Sequence, residues 1–265
     1  MVLVKYVFGK KNMNIHSKID SDRFGLKIGK IDDAFFNDID IEDSIEYFKE
    51  FKYDLIFARI NFSNIELINS LEKCGFTLKD TQCTLRNTFI DWQGKPVFNK
   101  VERTDGYEIR GFKPSDTEQI VDITRQSFIN YGHYGADVRL DPVDSLNAYS
   151  DWAYNSCINE NVATKIFVAS KDGDVAGYIA YKKFIEEDKT YAAGVIGAVN
   201  PLHRRKGLFP DIDIAALEWG VENKFDWEEH NVLMDNFAVF KSHMSVGFRP
   251  QKFMVTLHGW VDEIK

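Results

Sequence analysis

The ten residues Asn200–Phe209, NPLHRRKGLF, set three consecutive cations against a glycine directly after the apolar run YAAGVIGAV. The apolar run reads as a strand, and FPDIDIAALEWGVEN, which follows Gly207 and Leu208, has the apolar content and length of a buried helix. A strand that hands over to a helix in this way presents a row of unpaired backbone N–H groups at the positive end of the helix dipole. Phosphate-like anions bind such a start without a dedicated side chain, and a glycine lets the backbone approach closely. Arg204, Arg205 and Lys206 would add charge around the rim, and Gly207, Leu208 and Phe209 would supply backbone donors. The other reading of the cluster is a solvated basic turn. With 33 Lys and Arg against 41 Asp and Glu the chain carries a formal charge of −8, which argues against a general nucleic-acid binder and asks for a local reason for each basic cluster.

The elements that would position this turn can be read around it. Beyond a boundary at Thr104-Asp105-Gly106 comes a strand, YEIRGF (107–112), and then a helix, SDTEQIVDITRQSF, opened by Pro114-Ser115-Asp116. A loop over 129–142 precedes a second helix, VDSLNAYSDWAYNSCIN. The strands TKIFVAS, DVAGYIAYKKF and YAAGVIGAV follow, with Lys171-Asp172-Gly173-Asp174 as the hairpin turn between the first two. After the basic turn and its helix come a strand NVLMDN, a short helix FAVFKSHMSV and a last strand QKFMVTLHGW. The order predicts an α/β domain with a mixed sheet over 104–265. Residues 1–103 form a separate N-terminal part that opens with a strand, MVLVKYVFGKKN. Three unpaired cysteines, no cleavage-site pattern and no apolar run near the ~20 residues of a bilayer span predict a cytoplasmic protein without disulfides or membrane segments.

An internal repeat connects the two parts. Asn64 is followed by Gly75-Phe76 at the spacing that separates Asn236 from Gly247-Phe248, and both segments follow a short apolar strand, DLIFARI or NVLMDN. Leu67 falls in step with Val239 and Ser70 with Ser242, whereas Leu71 corresponds to His243. The shared strand–helix–Gly-Phe–strand context identifies 1–103 as a degenerate half-copy of the C-terminal domain, without a basic glycine turn of its own.

Val199-x-Pro201-x-x-Arg204-x-x-Gly207-x-Phe209 resembles the acetyl-CoA pyrophosphate signature of the GCN5-related N-acetyltransferase (GNAT) family, and Asn236…Gly247-Phe248 resembles its second signature. The resemblance covers the whole C-terminal domain. It implies a GNAT fold preceded by a GNAT-like half-domain, acetyl-CoA as co-substrate, and direct attack of an amine on the thioester. Backbone at Gly197, Ala198 and Val199 would hold the pantetheine and the acetyl oxygen where the strand parts from its neighbour, and Asn236 would lie at the cofactor. Two departures stand out. Phe209 replaces the small residue that ends the first signature, so its side chain must point away from the pyrophosphate. His243 takes the place of the family's acidic tyrosine, which makes it the expected proton donor to the leaving thiolate, or else a surface histidine of the helix. His133, Asp137, Glu186 and Glu187 are candidate bases, and no spacing selects among them.

The loop NYGHYGADVRLDP lies where this family builds its acceptor site. Together with the segment ending SLEKCGFTLKDTQCTLR, it resembles the dTDP-fucosamine acetyltransferases. That resemblance implies a nucleotide-linked amino-deoxysugar acceptor, destined for surface polysaccharide, with Tyr131, His133, Tyr134 and Arg139 as contacts. Acetylation of a protein, peptide or other small-molecule amine, and a non-catalytic acetyl-CoA sensor, are the alternatives. No metal is expected, because the six histidines are scattered with no H-x-x-x-H and no cysteine pair. Gly25-x-x-x-Gly29-Lys30 is one residue short of a P-loop and lacks its hydroxyl residue, so no ATP site is expected. Exposed strands leave a homodimer open.

Overall fold

The computed structural model describes residues 15–90, 93, 95 and 104–265, so the strand expected over 1–12 and most of the linker before Thr104 lie outside the described residues. The described residues form two compact units. The first takes the chain up to Thr81 together with Gly132–Asp144 and Phe253–Lys265; the second takes Gln82–Tyr131 and Ser145–Lys252.

The first unit contains α1 (Lys18–Phe24), β1 (Ile28–Asp32), α2 (Ile41–Glu50), β2 (Leu55–Asn61) and α3 (Ile65–Lys73). It also holds the start of β3 (Thr77–Asn87) and most of β9 (Arg249–Trp260). β1 runs parallel to β2, and β2 pairs antiparallel with β9 from Leu55–Trp260 to Asn61–Met254. α2 starts where the Asp40 carboxylate accepts from the Asp43 N–H, and it turns Ile45, Tyr47 and Phe48 inward. These pack with Ile56, Ile60, Leu71, Phe76 and Leu257 in one core. Each large side chain withdrawn from water there contributes about 1.5–3 kcal/mol.

In the second unit the strand order is β3, β8 (Trp227–Leu233), β7 (Lys189–Val199), β6 (Asp174–Glu186), β5 (Lys165–Lys171) and β4 (Glu108–Gly111). Every pairing is antiparallel except β7 with β8. Helices α4 (Thr117–Ser127), α6 (Leu208–Glu222) and α7 (Phe237–Ser245), with all but the first turn of α5 (Pro142–Ile158), complete it. The α/β mixed sheet is the fold class that the element order predicts. One element is displaced: the strand expected over 231–236 begins at Trp227 and ends at Leu233. Its inward positions include Glu228 and His230, both buried beside Val232, so a pattern of polar residues concealed a strand whose interior face is partly polar.

The internal repeat is structural. Asn64 and Asn236 each cap their helix by accepting from the N–H three residues on, Leu67 and Val239. Both helices end on a left-handed glycine, Gly75 at φ 102° and Gly247 at φ 101°. The exit hydrogen bonds also match: Phe76 N–H to Leu71 and Gly75 N–H to Glu72 in one copy, Phe248 N–H to His243 and Gly247 N–H to Met244 in the other. Phe76 and Phe248 then enter the two cores, 2% and 0% exposed. The strands that follow pair outside their own copies, β3 with β8 and β9 with β2.

Candidate active site

β7 and β8 form a parallel ladder from Tyr191–Trp227 to Gly194–His230, and there it ends. Beyond that point Gly197, Ala198 and Val199 remain paired to Ile179, Tyr178 and Gly177 of β6. Their other edge has left the β8 ladder, so backbone polar groups on that side are available to a ligand. β7 then runs through a short 3-10 turn at Pro201–His203 into α6.

The connection holds two left-handed residues in its last three positions before the helix. Arg205 at φ 64° and Gly207 at φ 78° are both left-handed, and Gly207 is the residue that caps α6. The N–H groups at the start of a helix can accept an anion, and a left-handed glycine there leaves the backbone open to it. Thr104 pins the turn, its hydroxyl donating to the Lys206 carbonyl at 2.6 Å and its N–H to Asp211 at 3.0 Å. Arg204 braces the same turn through Val199 O at 3.3 Å and Ser127 Oγ at 3.0 Å. Arg205 and Lys206 are exposed at the rim, whereas Leu208 is buried in the core against Ile212 and Ala216. The Phe209 ring packs edge-on to His243 at 5.3 Å, directed into the core as the substitution at this position requires.

Asn236 serves α7 as its N-cap, and its amide also donates to the Tyr131 hydroxyl at 3.5 Å. Tyr131 lies in an aromatic group with Phe128 and Tyr149, at centroid distances of 4.7 and 5.6 Å.

His243 is neither a surface histidine nor placed to exchange protons with solvent. It is 1% exposed, and burial pushes its pKa down to about 3, so the imidazolium that a general acid needs is disfavoured near neutral pH. It stands in a fully enclosed polar group with Asp213 of α6 and with Glu228 and His230 of β8. His243 Nδ1 lies 2.9 Å from Asp213 Oδ2, and His230 Nε2 lies 3.1 Å from Glu228 Oε1 and 3.8 Å from Asp213 Oδ1. The Tyr181 hydroxyl donates to Asp213 Oδ1 at 3.3 Å. Burial pushes Asp213 up to about 7 against the pull of His230 and Tyr181, and burial with the Asp213 charge pushes Glu228 well above the carboxylate range. Sequence reading passed over this group. Its signal was present in α6, where Asp211 and Asp213 interrupt an otherwise apolar helix, and in the i, i+2 spacing of Glu228 and His230 on one strand face.

Three of the four acceptor-loop residues belong to the first unit, and Tyr131 belongs to the second. His133 is buried, its Nδ1 2.9 Å from His258 Nε2, and His258 Nδ1 lies 2.6 Å from Asp137. The Tyr134 hydroxyl donates to Asp20 at 2.6 Å. Arg139 holds Asp262 and Glu263 and covers the Trp260 ring at 3.7 Å. Of the candidate bases, Asp137 is tied into this histidine chain and Glu186 accepts from the Tyr191 hydroxyl at 2.7 Å. Glu187 sits in the β6–β7 hairpin at φ 54°. No helix among the described residues is long and apolar enough to cross a membrane.

No family model and no curated protein matches the sequence. Solved structures do. A GCN5-related N-acetyltransferase from Sphaerobacter thermophilus aligns at a TM-score of 0.54 and 11% identity, over 78% of this chain and 60% of its own. The tandem GNAT protein of the clavulanic acid biosynthesis pathway aligns at 0.55 and 13%, over 82% and 67%. A GCN5-related N-acetyltransferase from Kribbella flavida aligns at 0.53 and 15%, over 85% and 77%. The chain spans 60% of the length of the first of these proteins and 67% of the second. Its α/β mixed sheet, its repeated strand–helix–strand unit and these likenesses together give it the GCN5-related N-acetyltransferase fold, with a second, partial copy preceding the full one.

Proposed function

We propose that the chain is an acetyl-CoA-dependent N-acetyltransferase whose catalytic part is 104–265. The observation that carries this reading is the parting of β7 from β8 at Gly194–His230, on the strand that leads through the left-handed turn at Arg205 and Gly207 into α6. Pyrophosphate would sit on the N–H groups of that turn, under the charges of Arg205 and Lys206. The pantetheine and the acetyl oxygen would lie along the free edge of Gly197–Val199, whose N–H groups stabilise the oxyanion. The acceptor nitrogen bonds to the acetyl carbon, the C–S bond breaks, and one proton of the amine ends on the CoA sulfur. Arg204 and Asn236 hold the turn and the helix in place.

For the acceptor we propose a nucleotide-linked amino-deoxysugar, with dTDP as the nucleotide and a product that enters surface-polysaccharide synthesis in the cytoplasm. The loop resemblance supports it, as do the half-buried Phe128 and Tyr131 rings at the entry to that loop, a residue type suited to stacking against a sugar or base. CoA thiol release from acetyl-CoA is expected with a dTDP-4-amino-4,6-dideoxyhexose, and excess dTDP should suppress it. Release that dTDP leaves unchanged, or that needs only a peptide amine, would remove the nucleotide sugar and keep the transferase.

One observation favours a second reading. With His243 enclosed and neutral, a chain that binds acetyl-CoA and turns over no amine at all would be an acetyl-CoA sensor.

Gly207→Val tests the turn. A branched side chain at φ 78° is strained by about 1–2 kcal/mol, and its Cβ would stand 3.2 Å from Thr104 Oγ1. Acetyl-CoA affinity, measured by calorimetry, is expected to fall at least tenfold. Unchanged affinity would return the cluster to a solvated turn.

A further inference from the structure

We propose that Asp213, His230 and His243 bind a divalent transition metal, zinc by the character of their donors, inside the second unit. One carboxylate oxygen and two imidazole nitrogens, from α6, β8 and α7, all lie within 4.8 Å of one another, and all three residues are buried. A tetrahedral ion with bonds of about 2.0 Å holds its ligand atoms about 3.3 Å apart. The 2.9 Å between His243 Nδ1 and Asp213 Oδ2 is close to that edge, and His230 Nε2 reaches the same carboxylate at its other oxygen, 3.8 Å from Oδ1.

Unpartnered atoms are the second, independent observation. Asp213 Oδ2, His243 Nδ1 and Glu228 Oε2 are fully enclosed, and none of them makes a hydrogen bond among the described residues. Although the first two approach to 2.9 Å, their alignment is not that of a hydrogen bond. Leaving three such atoms unsatisfied in one interior is costly, and interiors avoid it. A cation between Asp213 Oδ2 and His243 Nδ1 satisfies both. With the ion bound, the Asp213 and Glu228 carboxyls would ionise and offset its charge beside two neutral imidazoles. Glu228 borders the fourth side of the site, with its Oε1 3.1 Å from the His230 nitrogen.

The internal repeat shows that the fold does not itself require these groups. The position of His243 is occupied in the first copy by Leu71, equally buried at 1% exposure and part of an ordinary apolar core. The second copy therefore carries an imidazole where the architecture accepts leucine. The ion would fasten β8 to α6 and α7 at the level where β7 leaves β8, a fixed point for the parted strands. That is a structural role, separate from acyl transfer.

The test is the metal content of full-length protein, produced without a polyhistidine tag, purified without chelators and measured by plasma mass spectrometry. Stoichiometric zinc is expected in the wild type. His243→Leu, which copies the first repeat, is expected to fold, shown by an unchanged circular dichroism spectrum, and to lose at least nine tenths of the metal. Cobalt exchanged into the wild type should give the visible bands of a tetrahedral ion, and these should be absent in His243→Leu. Two results would overturn the proposal: a wild type that is metal-free as purified and takes up neither zinc nor cobalt, or a folded His243→Leu protein that keeps the wild-type metal content. Should His243→Leu not fold, Asp213→Asn read by the same cobalt bands decides in its place. None of these readouts depends on acetyl transfer, so failure of the metal site and failure of the acetyltransferase reading are distinguishable.

Discussion

Asp137→Ala is expected to cost about 3–5 kcal/mol of folding stability, because it strips the charged partner from a buried chain of donors. The carboxylate is 1% exposed; it receives the His258 Nδ1 at 2.6 Å, the Trp260 indole N–H at 3.1 Å and the Arg139 N–H at 3.1 Å. The Lys79 ammonium stands 3.5 Å away. Alanine leaves those donors facing one another with nothing to accept from them. The sign of the pH dependence follows. Burial pushes Asp137 up, but His258, the Arg139 N–H and Trp260 outweigh it, and the carboxyl sits well below the carboxylate range. A depressed folded pKa contributes stability that is present above the unfolded value near 3.9 and is lost as pH falls through the folded one. The difference between wild type and Asp137→Ala in urea-unfolding free energy should therefore be full at pH 7 and narrow below about pH 4. A difference under about 1 kcal/mol at pH 7 would mean that the Asp137–His258–His133 chain does not support the first unit.

This chain also shows where sequence reading stops. Asp137 and His133 carried a signal as polar residues in a glycine-rich loop, but their partner His258 lies more than a hundred residues away in a strand that reads as apolar. No local pattern joins them. By contrast, the hairpin at Asp172-Gly173, the strands on either side of it, the helix after Gly207 and the repeated Asn…Gly-Phe units were all legible, because each is set by residues within a dozen positions. Periodicity, caps and left-handed glycines are local physics, and the fold follows from them.

The site was legible only in its backbone part. Arg205, Gly207 and the end of β7 form the strand-to-helix turn that the sequence predicts, since a left-handed turn favours glycine and a strand leads into it. The side-chain part was not. His243 looked like a reactive group on a helix, and the structure encloses it, because Asp213 of α6 and His230 of β8 pack against it. Arg204 and Arg139, expected to meet ligand, are engaged within the protein, at Val199 and Ser127 and at Asp262 and Glu263. Charge type is visible in a sequence, but the partner that uses the charge is a property of packing.

Gly194→Val is expected to cost about 3 kcal/mol or more, at the upper end of overpacking in a closed interior. A Cβ at Gly194 would stand 2.1 Å from His230 Nδ1 and 2.2 Å from its Cε1, inside any contact distance. The ring has no retreat: His243 lies at 4.0 Å, Phe248 at 5.1 Å and Tyr181 at 5.5 Å between centroids. Gly194 is also the last residue of β7 paired to β8, so the clash falls where the strands part, and acetyl-CoA affinity should drop with stability. Gly111→Ala, whose Cβ meets nothing within 4 Å, is the control and should stay within about 0.5 kcal/mol of wild type. His230→Ala clears the space that Gly194→Val needs. The double variant should therefore lose less than the sum of the two single losses, by about 0.5–3 kcal/mol in urea unfolding. Strict additivity would mean that the glycine answers to something other than the imidazole, and would detach the end of the ladder from the buried polar group beneath it.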